Sequence, residues 1–350
     1  MTQTNPFCFP QSGSEAGATF FAVDSHTMGE PTRIILQGFP SLSGGTMMEK
    51  KEYLAKNFDY LRRALILEPR GHADMFGALV TEPTDPAQAD LGVIFMDSGG
   101  YLNMCGHGSI GVASIAVDRR LVPVTEPYTD IILEVPSGLI RTRVKVHDGK
   151  AVEVTLTNVP CFLYQEDVRL DLEKFGAVSM DISFGGSFFA LVDADKLGLP
   201  LTPDGMPELV RVGMEILRRI NAQETVSHPY LSIRSIDLVE FYGKADRPGA
   251  NLKNVVVFGD GQVDRSPCGT GSSAKVAALY QKGLLKMNED FIYESITGSL
   301  FRARVCRETT AGPFRAVVPQ VTGSAYMTGI QEIIIDPDDP FKYGFRLRER

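Results

Sequence analysis

The chain has 350 residues, 43% of them hydrophobic and 22% charged, with a net charge of −8. That length suggests about two domains and is enough to bury a core without disulfide staples. The acidic balance and scattered lysines and arginines exclude an extended surface for nucleic acid or anionic membrane, and no apolar run approaches the ~18 residues that span a bilayer.

Residues 1–18 are polar and contain Gly and Ser, so a loose tail is expected there. They carry neither a basic nor an apolar leader region, and a secretory signal is not expected. Strand text begins with TFFAVDS and TRIILQGF. A helix is expected over about 50–67, where Leu54, Phe58, Leu61 and Leu65 recur on one face. Strands and turns follow over 75–104, with LGVIFM as a buried strand. IILEVPSGLIRTRVKVHDGKAVEVTLTNV then reads as an antiparallel meander with one wet face, broken at Pro136-Ser137-Gly138 and Asp148-Gly149. Val152, Val154 and Leu156 form the apolar side of its last strand. ISFGGSFFALVDA reads as a strand pair. An amphipathic helix over about 207–220 carries Leu209, Val212, Gly213, Ile216, Leu217 and Ile220 on one side. LVEFYG, NVVVFG and the stretch from FRARV to QEIIID are again strand-like. Strands outnumber helices without regular alternation, so the fold class is α+β.

Two segments echo each other: FMDSGGYLNMCGHGSIGVASIAV from Phe95 and FGDGQVDRSPCGTGSSAKVAALY from Phe258. With Cys105 laid over Cys268, Phe95 and Phe258 coincide, as do Gly106 and Gly269, Gly108 and Gly271, Ser109 and Ser272. The offset, 268 − 105 = 163 residues, is close to half the chain, which marks a duplicated unit. Each copy reads strand, turn, Cys-Gly-x-Gly-Ser, helix. A helix starting at the cysteine brings unpaired backbone amides and the positive dipole end to the sulfur. That setting lowers a thiol's pKa and forms a seat for a carboxylate. Two such copies facing one cleft would present two thiols to one small anion. Proton exchange at a carbon beside a carboxylate needs that arrangement: one sulfur takes the α-proton, and the other delivers a proton to the opposite face. The helix ends would stabilise the charge that develops.

Other chemistries fit less well. Cys105, His107, Asp264 and Cys268 could be drawn as a zinc set, but Cys-x-His is too tight and Cys-x-x-Cys is absent, so no metal is expected. No phosphate loop or nucleophile elbow is present, and His26, His72 and His147 read as structural. Neither motif places a lysine for a Schiff base, so no cofactor is expected. The five cysteines, Cys8, Cys105, Cys161, Cys268 and Cys306, are odd in number and widely spaced. They suit free thiols in a reducing compartment, with cytoplasm as the default, and Cys8, Cys161 and Cys306 read as small hydrophobes.

These motifs, with DSHTMGEPTRII at 24–35, EPRGHADMFG at 68–77, DISFGGSFFA at 181–190, VDRSPCGTGSSA at 263–274 and GSAYMTG at 323–329, resemble the proline racemase family from about residue 19 to the end. That family includes proline racemase, 4-hydroxyproline epimerase and trans-3-hydroxy-L-proline dehydratase. The resemblance implies two pseudo-symmetric domains of the diaminopimelate epimerase type, over 19–155 plus 325–350 and over 156–324, with the active-site cleft between them. It also implies a homodimer and a small-molecule substrate, proline or hydroxyproline. By position, Cys105 and Cys268 would be the acid/base pair. Gly106, His107, Gly269 and Thr270 would offer amides to the substrate carboxylate, and His107 and Asp264 would hold the ring nitrogen. Phe76 and Phe258 would wall the pocket. The dehydratases typically carry threonine in place of the second cysteine, so Cys268 favours a racemase or epimerase, and the overall wording lies closer to proline racemases.

Overall fold

The structure, a computed structural model, describes residues 18–347. Cys8 and the tail expected over 1–18 lie outside that range, except that Ala18 already opens a strand. The chain divides into two compact units. One runs to Val154 and resumes at Ser324; the other is Thr155–Gly323.

In the first unit, Ala18–Thr27 lies between the antiparallel strands Ala325–Ile335 and Glu30–Gln37. Glu30–Gln37 runs parallel to Phe76–Thr81, which pairs antiparallel with Leu91–Asp97. Leu91–Asp97 runs parallel to Tyr128–Val135, which pairs antiparallel with Gly138–His147. This sheet packs around the helix Gly106–Asp118, which touches strands across most of its width. Every residue of that helix from Gly106 to Val117 is buried. That explains why its text shows no polar face, since a helix apolar all round belongs in a core. Burial of Ile110, Val112, Ile115 and Val117 contributes about 1.5–3 kcal/mol each.

The second unit repeats the same sequence of pairings. Gly176–Phe184 lies between antiparallel Phe162–Leu172 and Phe188–Asp193. Phe188–Asp193 is parallel to Ile236–Gly243, which is antiparallel to Leu252–Phe258. Leu252–Phe258 is parallel to Phe291–Glu294, which is antiparallel to Leu300–Ala311. The buried helix is Gly269–Gln281. In both units an amphipathic helix bridges a parallel pair: Met47–Ile66 in the first and Met206–Gln223 in the second.

Local readings hold with three adjustments. Thr46 caps the first amphipathic helix by accepting the Glu49 amide, so that helix begins at Met47 rather than 50. The helix is interrupted at Phe58, which is only partly buried, while Leu54, Leu61 and Leu65 fill the core. Val152 is 46% exposed, unlike Val154 and Leu156, because the burial alternation of its strand sets in only at Val154. No helix among the described residues is long and apolar enough to cross a membrane.

Candidate active site

Each unit places its cysteine as the N-cap of its buried helix. Cys105 has extended backbone (φ −145°, ψ 126°), and its sulfur accepts the Gly108 amide at 3.2 Å. The His107 ring turns back so that Nδ1 stands 3.3 Å from the sulfur. Phe76 meets the His107 ring edge to face, with centroids 4.5 Å apart. The Thr27 hydroxyl donates to the His107 carbonyl at 2.9 Å, and the Ser109 hydroxyl donates to the Cys105 carbonyl at 2.6 Å. Gly108 is required as glycine, because a Cβ there would stand 2.6 Å from the Phe95 ring. Cys105, His107, Phe76 and the Gly106 helix start are thus one cluster, and Cys105 and His107 are each about 5% exposed.

The second unit builds the matching cluster from different partners. The Cys268 sulfur accepts the Gly271 amide at 3.3 Å and lies 3.5 Å from the Thr270 hydroxyl. The buried Asp264 carboxylate accepts both the backbone amide (2.8 Å) and the hydroxyl (2.7 Å) of Ser266, whose oxygen in turn accepts the Cys268 amide at 3.1 Å. Phe258 belongs to the same apolar cluster as Cys268. Gly269 and Thr270 form the first turn of the helix, where amides have no intrahelical acceptor.

Two further features mark the second cluster. Cys268 adopts φ 57°, ψ 111°, a left-handed conformation that costs a side chain about 1–3 kcal/mol. The helix start does not lower the Cys268 thiol's pKa as expected from sequence. Burial pushes it well above the usual thiol range and Asp264 adds to this, outweighing the Thr270 hydroxyl and the Gly271 amide. Desolvation of a thiolate outweighs one amide and half a helix dipole.

Sequence reasoning passed over Thr27 and Ser266, although both stand inside quoted motifs, because a hydroxyl carries no signal of what it will bond. It also passed over Glu240, which reads as one polar residue in a strand. His26 and His72 each accept a nearby backbone amide, those of Gly29 and Asp74, and His147 is exposed at a turn.

With this geometry in place, the comparisons with known proteins are direct. A family model described as proline racemase matches residues 22–346. The chain belongs to the proline racemase family. It is 54% identical to a proline racemase of Acetoanaerobium sticklandii, over 93% of this chain and 98% of that one. A solved hydroxyproline epimerase of Agrobacterium vitis, with bound trans-4-hydroxy-L-proline, superposes with a TM-score of 0.90 at 32% identity, covering 96% of each chain. The fold extends beyond the proline racemase family. A Bacillus anthracis phenazine biosynthesis protein of the PhzF family matches with a TM-score of 0.59 at 13% identity, covering 92% of this chain and 100% of that one. The fold is thus the α+β, diaminopimelate epimerase-like type expected.

Proposed function

We propose that this chain is a cofactor-independent proline racemase that works by two-thiol proton exchange. One observation carries the reading: in two units with the same strand pairing, a cysteine caps a buried helix and its sulfur takes the amide three residues on. The 54% identity to a proline racemase supports the substrate.

In this reading Cys105 and Cys268 address opposite faces of one bound proline. A thiolate on one side takes the α-proton and becomes a thiol. The thiol on the other side gives its proton to the carbanion and becomes a thiolate. Charge and protons balance, and the reverse turnover restores the first state. The amides of Gly106, His107, Gly269 and Thr270 hold the carboxylate, where they act most strongly as negative charge spreads onto it. His107 and Asp264 hold the ring nitrogen, with Phe76 and Phe258 as apolar walls. The few, widely spaced cysteines suit a reducing, cytoplasmic setting. A homodimer completes the reading, and light scattering checks it: a mass of two chains supports it, and a mass of one removes it.

The deciding experiment is racemisation in heavy water. Two opposed thiols place solvent deuterium in the product enantiomer early in the reaction, whereas equal early labelling of recovered substrate removes the two-base mechanism. Cys105→Ser and Cys268→Ser should each nearly abolish turnover. The Agrobacterium vitis relative raises 4-hydroxyproline as a second substrate, and chiral separation after incubation with each imino acid decides between them.

A further inference from the structure

A buried cluster of ionisable residues lies behind Cys268, and at two of its positions the first unit carries valines. Glu240 is fully buried in the strand Ile236–Gly243. Its Oε1 accepts the Tyr293 hydroxyl at 2.7 Å, and its Oε2 makes no well-formed hydrogen bond. Oε2 is pressed against the helix start: a Cβ on Gly271 would stand 2.3 Å from it. Gly271 is the residue whose amide binds the Cys268 sulfur. At the equivalent Gly108 the same space is filled by the Phe95 ring.

Strand register makes the contrast specific. Phe95 pairs with Ala78, and its counterpart Phe258 pairs with Leu238. Two residues further along each strand stand Val80 and Glu240. On the helix, Lys275 takes the place of Val112 at the same 163-residue offset (275 − 163 = 112). Lys275 is buried, with its ammonium 2.8 Å from the centre of the Tyr242 ring. Two buried ionisable residues thus stand where the first unit has two valines, at a desolvation cost that apolar residues would not incur. Burial raises the Glu240 carboxyl's pKa and Asp264 adds to this, while Tyr293, Lys275 and Asn254 favour its charged form. Burial lowers the Lys275 ammonium's pKa, opposed by Glu240, Asp181 and Asp193, with Lys282 adding to the lowering.

We propose that Glu240 is a positioning residue for Cys268: its carboxylate, lodged against Gly271, helps to hold the proton on the Cys268 sulfur in the resting protein. This rests on the two-thiol reading, and burial and Asp264 act on the Cys268 sulfur in the same direction.

The test reads the two thiols separately in the full-length chain, by iodoacetamide labelling across pH with each cysteine peptide quantified. Glu240→Gln should lower the labelling midpoint of Cys268 and speed its labelling about tenfold below that midpoint, the equivalent of one pKa unit. Glu240→Met removes the same charge with a side chain that needs no polar partner, and it must act in the same direction. Glu240→Asp keeps the charge and should hold the midpoint near that of the parent. The Cys105 midpoint should stay in place throughout. A Cys268 midpoint that is unmoved or raised in the folded charge-removing variants, or one matched by an equal shift at Cys105, overturns the proposal. Proline turnover is assayed separately. Failure of the racemase reading would show there and would leave the labelling comparison to be judged by itself.

Discussion

The backbone of Cys268 offers a stability test that does not depend on catalysis. Cys105 and Cys268 occupy equivalent N-caps, yet one is extended (φ −145°) and the other left-handed (φ 57°, ψ 111°). Consider each cysteine replaced by alanine and by glycine. At both sites glycine gives up one buried carbon, about 0.8 kcal/mol, and raises the entropy of the unfolded chain, about 0.5–1 kcal/mol. At position 105 nothing offsets this, so alanine should be the more stable by about 1.5 kcal/mol. At position 268 glycine also relieves about 1–3 kcal/mol of backbone strain. The site-independent costs cancel in the double difference, which should equal the strain, about 1–3 kcal/mol in favour of glycine at 268. Urea unfolding of the four variants measures it, provided their denaturant slopes agree. A double difference below about 0.5 kcal/mol, the usual scatter of additive effects, would refute the claim that Cys268 is held under strain.

Two further outcomes are expected. Thr27→Val removes the hydroxyl that donates to the His107 carbonyl at 2.9 Å. It should cost about 1 kcal/mol in urea unfolding and lower proline turnover several-fold; unchanged turnover would show that His107 is held without Thr27. Asp97 is buried, and burial raises its carboxyl pKa despite the Gly99 and Gly100 amides and Arg62. A carboxyl whose folded pKa exceeds its unfolded value binds the proton more tightly when folded, so its contribution to stability is lost as pH rises through the carboxylate range. Asp97→Asn should therefore gain stability relative to the parent between about pH 4 and 7, and a flat difference across that range would remove the assignment.

Much of this molecule is legible as text, for physical reasons that can be named. The strand Leu91–Asp97 is buried along its whole length and reads as an unbroken apolar run, while Gly138–His147 alternates because its other face meets solvent. Both cysteine motifs announce a helix start, since only glycines admit the Phe95 ring and the Glu240 carboxylate so close to the first turn. What stays hidden is whatever depends on which strand becomes a neighbour. Glu240 is one charged letter in LVEFYG, and its position behind Cys268 arises from pairing with the strand that ends at Phe258. The thiol's pKa fails for the same reason: the dipole of its own helix is local and readable, whereas desolvation comes from the whole unit folded around it.

Duplication explains the shared frame, and the chemistry explains why that frame need not be electrostatically uniform. Two mirror-image prolines have equal free energy in water, so turnover in the two directions must balance at equilibrium. That constraint applies to the ratio of the two enantiomers, not to the two thiols. A racemase of the proposed two-thiol kind would pass through two states, with the proton on one sulfur or on the other, and could favour either without moving the final mixture. Val80 and Val112 on one side against Glu240 and Lys275 on the other would provide such a bias at no cost to the equilibrium. On the proposal made for Glu240, its effect would fall on the enzyme itself, by raising the share of the state with Cys268 protonated between turnovers. In such a cycle, saturation by one enantiomer would drive the protein toward its less favoured state, and recovery of the sulfur proton would then set the limit at high substrate. Glu240→Gln, by levelling the two states, moves that limit more than it moves turnover at low substrate.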